Sequence, residues 1–241
     1  MPSDWDQSAQ AWIGAMGEGG DWARQQITDP SFLRILEGLA ATCAVDVGCG
    51  EGRSCRMIRA RGIECIGIDP TRALLDEARR RDPGGTYLLA GAEALPLADA
   101  CVDLVLSCMS LIDIEDIDRA IPEMARVLRP GGRLVVFNLT SFVTAGGPRG
   151  WQRGPDGEKQ VFGIDRYLED WAYEVAFSGL RIINRHRPLS RYMALFLGEG
   201  LTLERFEEPL PVTPDDPRTK DYCRAPWIHG MVWRKPGDGP C

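Results

Sequence analysis

Val45-Asp46-Val47-Gly48-Cys49-Gly50-Glu51-Gly52 is the stretch whose reading decides the fold. Before it, Cys43, Ala44 and Val45 read as a short apolar strand; after it, residues 53–61 read as a helix. A strand that turns through glycines into a helix start forms a ligand-binding corner of an α/β sheet. The first N–H groups of that helix have no intrahelical partners and point into the crevice. Glycine lets the backbone come close to the ligand and adopt positive φ where needed. A dinucleotide would place its pyrophosphate there, and a carboxylate at that point would repel it. Asp46, at the strand end, suits a ligand with an ammonium group or other positive charge. The spacing agrees: Gly48, Gly50 and Gly52 make GxGxG, and Arg53 stands where the dinucleotide pattern wants its third glycine. Cys49 fills the tight turn. The competing reading is an ordinary glycine turn.

A second corner follows. Glu64-Cys65-Ile66-Gly67-Ile68 is an apolar strand ending at Asp69. Asp69 follows Asp46 at close to the roughly 20-residue offset at which such folds set an acid on ribose hydroxyls. Pro70, beside it, is placed to line an adenine. Alone, Asp69-Pro70-Thr71 would read as a turn and a helix start; joined to the first corner it reads as binding.

Outward from these corners, strands and helices alternate: strand 43–47, helix 53–61, strand 64–68, helix 72–81, strands 86–90 and 102–107, helix 115–128, strand 133–139. After a glycine- and proline-rich loop at 143–160 come a hairpin-like excursion at 161–187, a helix at 189–199 and strands at 201–206 and 227–233. The class is α/β, a doubly wound, mostly parallel seven-stranded sheet of Rossmann-like type. Helices at 5–16 and 22–39, the second interrupted near Pro30, precede it. The expected organisation is an N-terminal helical lid (1–40), a cofactor-binding core (41–142), a substrate-covering insertion after strand 5 (143–187), and a last helix and two strands of the same domain (188–241). A connection of about 45 residues is too long for a simple link, and such connections usually serve function.

Further segments carry a family likeness. Ala90-Gly91-Ala92-Glu93-Ala94-Leu95-Pro96, Val102-Asp103-Leu104-Val105-Leu106-Ser107-Cys108-Met109-Ser110-Leu111 and Ala125-Arg126-Val127-Leu128-Arg129-Pro130-Gly131-Gly132-Arg133-Leu134 stand in order after the two corners. With them the chain resembles class I S-adenosylmethionine-dependent methyltransferases, in the small-molecule branch that includes the ubiquinone/menaquinone-biosynthesis type. The likeness covers about residues 5–142 well and 167–235 more loosely. It implies S-adenosylmethionine as cofactor, S-adenosylhomocysteine as product, and methyl transfer to O, N or C of a small acceptor. It also implies that the 90–96 segment, with Ala92 and Glu93, holds the adenine edge. Gly91 departs from the Asp common in the family, so one adenine contact passes to Glu93 or a backbone carbonyl. Cys108 ends the fourth strand beside the site, and Met109 and Leu111 form an apolar wall by the adenosyl group. No Asn/Asp-Pro-Pro-aromatic motif follows that strand, which favours small molecules over nucleic acid.

Composition sets limits. The chain has 241 residues, 44% of them hydrophobic, and a net charge of −7. It can bury a sizeable core, and nothing resembles a basic footprint for DNA or RNA. No apolar run nears the ~20 residues that span a bilayer. The first residues lack a basic flank and an apolar stretch, so no secretory leader is expected. The eight cysteines form no Cys-x-x-Cys pair, which speaks against zinc and for reduced thiols in a cytoplasmic protein. A monomer or a homodimer fits.

Methyl transfer from a sulfonium is an in-line displacement in which orientation alone is worth roughly 7–11 kcal/mol. A general base is therefore optional. His186 is the candidate for base or substrate anchor, its alternative being a partly buried histidine capping the helix near Pro188. His229, between Trp227 and Met231, reads as a sheet-face residue. Arg24 is a candidate partner for the methionine carboxylate or a solvated side chain, and Arg53 is placed to approach the same carboxylate. Trp12, with Trp5 and Trp22, closes over cofactor or substrate, or packs in the core. Arg79-Arg80-Arg81 reads as solvated surface. Two other functions compete: an NAD(P)-dependent oxidoreductase on a related sheet, and a non-catalytic nucleoside-binding protein.

Overall fold

The computed structural model describes residues 4–237, so residues 1–3 of the expected lid and residues 238–241, Cys241 among them, lie outside it. In chain order come α1 (Asp4–Met16), a π turn (Arg24–Thr28), α2 (Asp29–Glu37), β1 (Cys43–Val47), α3 (Arg53–Arg59), β2 (Glu64–Asp69), α4 (Arg72–Arg81) and β3 (Thr86–Leu89). β4 (Val102–Cys108), α5 (Ile117–Val127) and β5 (Leu128–Leu139) complete the alternating part. Then follow α6 (Ser141–Gly146), β6 (Trp151–Arg153), β7 (Lys159–Phe162), β8 (Trp171–Phe177), β9 (Leu180–His186), α7 (Leu189–Gly198), β10 (Thr202–Glu207), α8 (Thr219–Tyr222) and β11 (Ile228–Arg234).

Seven strands form one sheet in the order β10-β11-β5-β4-β1-β2-β3. β1 lies parallel between β2 and β4, with Val45 opposite both Ile66 and Val105. A strand paired on both edges and covered on both faces is mostly apolar, and Ala44, Val45 and Val47 are fully buried, with Asp46 the one acid among them. β11 alone among these described strands runs against the others, pairing antiparallel with β5 and β10. Strand order reverses between β1 and β4, which opens a crevice beyond their C-terminal ends.

Each face of the sheet carries its own core. On one, Ile121, Met124, Phe196 and Trp233 pack under α5 and α7; on the other, Phe32, Leu36, Ile58 and Phe137 pack under α2 and α3. Each such side chain contributes about 1.5–3 kcal/mol by leaving water. α5 buries Ile117, Ala120, Ile121, Met124 and Ala125, one stripe at helical spacing, and Asp116 caps it by accepting from the Arg119 N–H at 3.1 Å.

The interruption expected near Pro30 is a π turn, in which Asp29 N–H donates to the carbonyl of Arg24, five residues back, and α2 runs on from Asp29 with Pro30 in its first turn. One local expectation is corrected. Residues 143–160 are not a loop. Thr140 caps α6 at Val143 N, and β6 pairs with β7, Trp151 opposite Phe162. The glycines there make room for an aromatic cluster: a Cβ at Gly150 would lie 2.4 Å from the Phe162 ring, which stacks on Phe142 and meets Trp151 edge-on. β8 and β9 form the second hairpin, and α1 is fastened across β9. Ser8 Oγ donates to Arg181 O at 2.9 Å, and Ile183 N–H donates to Asp4 Oδ2 at 2.7 Å.

Candidate active site

A cavity of about 360 Å³ opens at the reversal point, with the β1–α3 turn as its floor and α1 as its cover. Gly48 sits at φ +77°, and a Cβ there would lie 2.3 Å from Ser110 Cβ. No other residue fits without moving the loop after β4, because Ser110 Oγ is tied to Val47 O at 2.7 Å. The Gly48 N–H donates to Ile68 O at 2.8 Å, so the turn is stitched to β2.

Asp46 and Asp69 are the two acids of this floor. Asp46 is buried, one oxygen facing the Cys55 thiol at 3.6 Å and Oδ1 without a partner. Burial pushes its carboxyl up to about 7. Asp69 accepts from Gly50 N–H at 2.9 Å and Thr71 N–H at 2.8 Å, one on each oxygen, which leaves each oxygen a lone pair. Burial raises its carboxyl too, against those two bonds and the pull of the Thr71 hydroxyl.

All thirteen residues expected at a cofactor site line this cavity: beside Asp46, Gly48, Asp69 and Gly50 stand Cys49, Arg53, Pro70, Ala92, Glu93, Cys108, Met109, Arg24 and Trp12. A Cβ on Gly91 would lie 2.6 Å from Glu93 Oε2, so the Glu93 carboxylate fills the space a side chain at 91 would take. Burial lifts the Cys108 thiol to about 12, which leaves no thiolate for nucleophilic chemistry. Arg53 is held by both carboxylate oxygens of Asp29. Arg24 pairs with Asp21 at 2.7 Å and lies 4.7 Å from the centre of the Trp12 ring.

His186 stands elsewhere. Its ring is fully buried between the β8–β9 hairpin and α6, with Nε2–H donating to Tyr167 O at 3.0 Å and Nδ1 accepting from Thr144 Oγ1 at 2.7 Å. Burial lowers its pKa, so the ring is neutral with both nitrogens engaged. The expectation of a base or anchor is therefore corrected: a residue chosen for its chemistry ties two segments together. His229 is buried in β11 over Phe206, and burial takes it down to about 4. Arg81 is also not solvated; its side chain is 6% exposed, paired with Glu77 at 2.6 Å and 4.0 Å from Glu51.

Sequence reasoning passed over several lining residues. Glu51, taken as a spacer between glycines, accepts from Trp12 Nε1 at 2.9 Å and so latches α1 to the turn. Met109 holds a left-handed φ of +57°, a conformation that in a non-glycine residue often marks a functional loop. Asp4, Asp113 and Arg185 come from distant segments, whereas Trp5, expected with Trp12 over cofactor or substrate, does line the cavity. Arg185 is the only one of the cavity's described lining residues from 143–187, so α1 covers the cavity and the hairpin backs α1.

A methyltransferase-domain family model matches residues 45–136. Over 192 residues the chain is 34% identical to a malonyl-[acyl-carrier protein] O-methyltransferase of Methylococcus capsulatus, covering 73% of this chain and 70% of that protein. The chain belongs to the class I S-adenosylmethionine-dependent methyltransferases. Uncharacterized methyltransferases of Mycobacterium tuberculosis are 41% identical over 110 residues, 45% of each chain. A crystal structure of an S-adenosylmethionine-dependent methyltransferase from Mesorhizobium loti matches with TM-score 0.72 and 25% identity, covering 88% of this chain and 97% of that one. One from Listeria monocytogenes shares the fold with TM-score 0.76 at 24% identity, over 85% and 95%. The methyltransferase thus uses S-adenosylmethionine, transfers its methyl group to a small-molecule acceptor and releases S-adenosylhomocysteine. Among the described residues no helix is long and apolar enough to cross a membrane.

Proposed function

We propose that the β1–β2 floor of this cavity is the S-adenosylmethionine site. The observation that carries the reading is Asp46 Oδ1, buried on the cavity wall and partnerless, since a buried carboxylate oxygen demands a donor. The cofactor's ammonium is such a donor. Asp69 has spare lone pairs for two ribose hydroxyls, and Glu93, with Ala92 and Pro70, fits the adenine edge. Cys108 and Met109 serve as walls, Cys49 and Gly50 keep the turn tight, and Trp12 closes the cover. Arg24, in the cavity beside Trp12, is the better partner for the cofactor's carboxylate, because Arg53 is already doubly bound to Asp29.

When bound, the cofactor supplies an activated methyl group, and the protein's part is orientation and exclusion of water. The glycine turn fixes one end, α1 with its Glu51 latch closes the other, and neither His186 nor Cys108 is available as a base or nucleophile. The seven free cysteines of the described chain support a reduced, cytoplasmic setting, and the net charge of −7 supports an acceptor other than nucleic acid. Titration of wild type and Asp46→Asn with S-adenosylhomocysteine tests the site. The variant should bind about 10–100-fold more weakly, the scale of a charge-assisted hydrogen bond. Equal affinity would remove Asp46 from the site.

A further inference from the structure

The cavity wall holds a second carboxyl oxygen without a partner, Asp113 Oδ1, and the cofactor reading gives it no role. Asp113 lies on the loop after β4, its N–H donating to Ser110 O at 2.9 Å. Around it stand Asp4 and Trp5 of α1, Arg185 of β9, Arg24 of the π turn and Glu115 of its own loop. Burial first, and then Asp4, raise its carboxyl well above the ordinary range, against the pull of Arg185, the Trp5 indole and Arg24.

The charge arrangement of the wall narrows what this group faces. Its three guanidiniums are all paired: Arg24 with Asp21 at 2.7 Å, Arg53 with Asp29, and Arg185 with Glu115 at 3.1 Å. With Arg24 assigned to the cofactor's carboxylate, Arg53 held by both oxygens of Asp29 and Arg185 paired with Glu115, none is left over for an anionic acceptor. Carboxyl groups outnumber them, and a buried acid that lacks a partner favours a cation. At the same end, Trp5 and Trp12 meet edge to face at 5.1 Å, an aromatic corner of the kind that attracts cations.

Resting on the cofactor assignment above, we propose that Asp113 receives the acceptor as a protonated primary amine, which makes this enzyme an N-methyltransferase of a small organic amine. The Asp113 carboxyl gives its proton to water as the ammonium binds, and the carboxylate so formed then takes one proton from the ammonium, giving a carboxylic acid and a neutral amine. The nitrogen lone pair forms the bond to the methyl carbon while the carbon–sulfur bond breaks, its electron pair leaving on sulfur. An N-methylammonium and a thioether result, and Asp113 is left as the acid it was at the start, one proton having gone to water per turnover. A carboxyl with a raised pKa suits this exchange, because it accepts a proton more readily than an ordinary aspartate.

Calorimetry on the S-adenosylhomocysteine-loaded enzyme tests this. The probes are primary amines from benzylamine to tryptamine, each against the carboxylic acid of the same shape. At least one amine should bind with release of a proton, seen as a heat that varies with the buffer, while the carboxylates do not bind. Asp113→Asn should weaken that amine at least tenfold and leave S-adenosylhomocysteine affinity within twofold, which also shows that the variant folds; Asp113→Glu should keep the amine preference. Binding of carboxylates, absence of amine binding at millimolar concentration, or equal amine affinity in Asp113→Asn would overturn the proposal. Loss of S-adenosylhomocysteine binding by the wild type would instead overturn the cofactor assignment.

Discussion

The floor and the cover of the cavity meet the same ligand space but are built by different rules. The floor comes from short consecutive stretches, 46–53 and 69–71, whose geometry is dictated by glycine turns and by β1 pairing with β2. The cover draws Asp4, Trp5 and Trp12 from α1, Arg24 from the π turn, Asp113 from the loop after β4 and Arg185 from β9. Backbone fixes the floor; side-chain bonds such as Trp12 to Glu51 and Ile183 to Asp4 fix the cover. A family built this way can keep one cofactor and exchange acceptors, because changing the cover leaves the sheet untouched.

The largest expected effect breaks the floor. Gly48→Ala adds a methyl group 2.3 Å from Ser110 Cβ at a backbone angle of +77°. Strain and clash together should cost about 2–4 kcal/mol and lower S-adenosylhomocysteine affinity by more than ~100-fold. Thermal unfolding and titration check both. Near-native affinity would mean that the turn is not the rigid element this comparison makes it.

That asymmetry also governs what could be read without coordinates. The central strands and the turn were legible because parallel strands buried on both faces read as mostly apolar runs, and because Gly48, Gly50 and Asp46 carry their meaning within a few residues. Asp113 and Arg185 were not legible, since nothing in Leu111-Ile112-Asp113 announces that β9 and α1 will close over it. Glu51 lay inside the motif and was still missed: its role depends on an indole from residue 12. His186 shows the converse error, in which a residue type with catalytic chemistry was placed by that chemistry, while burial had already committed both its nitrogens. The aromatic packing that turns 143–160 from loop into helix and hairpin is likewise non-local.

A second prediction, of severalfold size, sharpens the account of the floor through pH. Asp46 holds its proton in the folded, ligand-free protein up to about pH 7, whereas an unfolded aspartate releases it near ~3.9. The folded state thus binds more protons in that window, and this group's contribution to stability falls as pH rises through it. A cationic ligand group reverses the balance by favouring the carboxylate. S-adenosylhomocysteine affinity should therefore rise severalfold between about pH 6 and 7.5, with proton uptake by buffer, until the ligand's own ammonium begins to titrate at higher pH. Asp69, Glu51 and Cys55 face the same acid, so the decisive control is Asp46→Asn, which should flatten the profile. A slope that survives in the variant would assign the proton elsewhere.

The smallest expected effect on turnover is at His186, and it separates a structural tie from a catalytic one. Its imidazole joins Thr144 of α6 to the Tyr167 carbonyl, and burial keeps it neutral, so it neither reaches the cavity nor holds a spare nitrogen. His186→Ala leaves the part-buried Tyr167 carbonyl short of a partner, which costs about 1–3 kcal/mol before any relaxation, while the Thr144 hydroxyl still has Ser141 O at 3.3 Å. Unfolding should move down by several degrees while kcat stays within twofold at a temperature where the variant is folded. A tenfold fall in kcat without loss of stability would return the histidine to the reaction and would mean that the hairpin, and not only α1, reaches the acceptor.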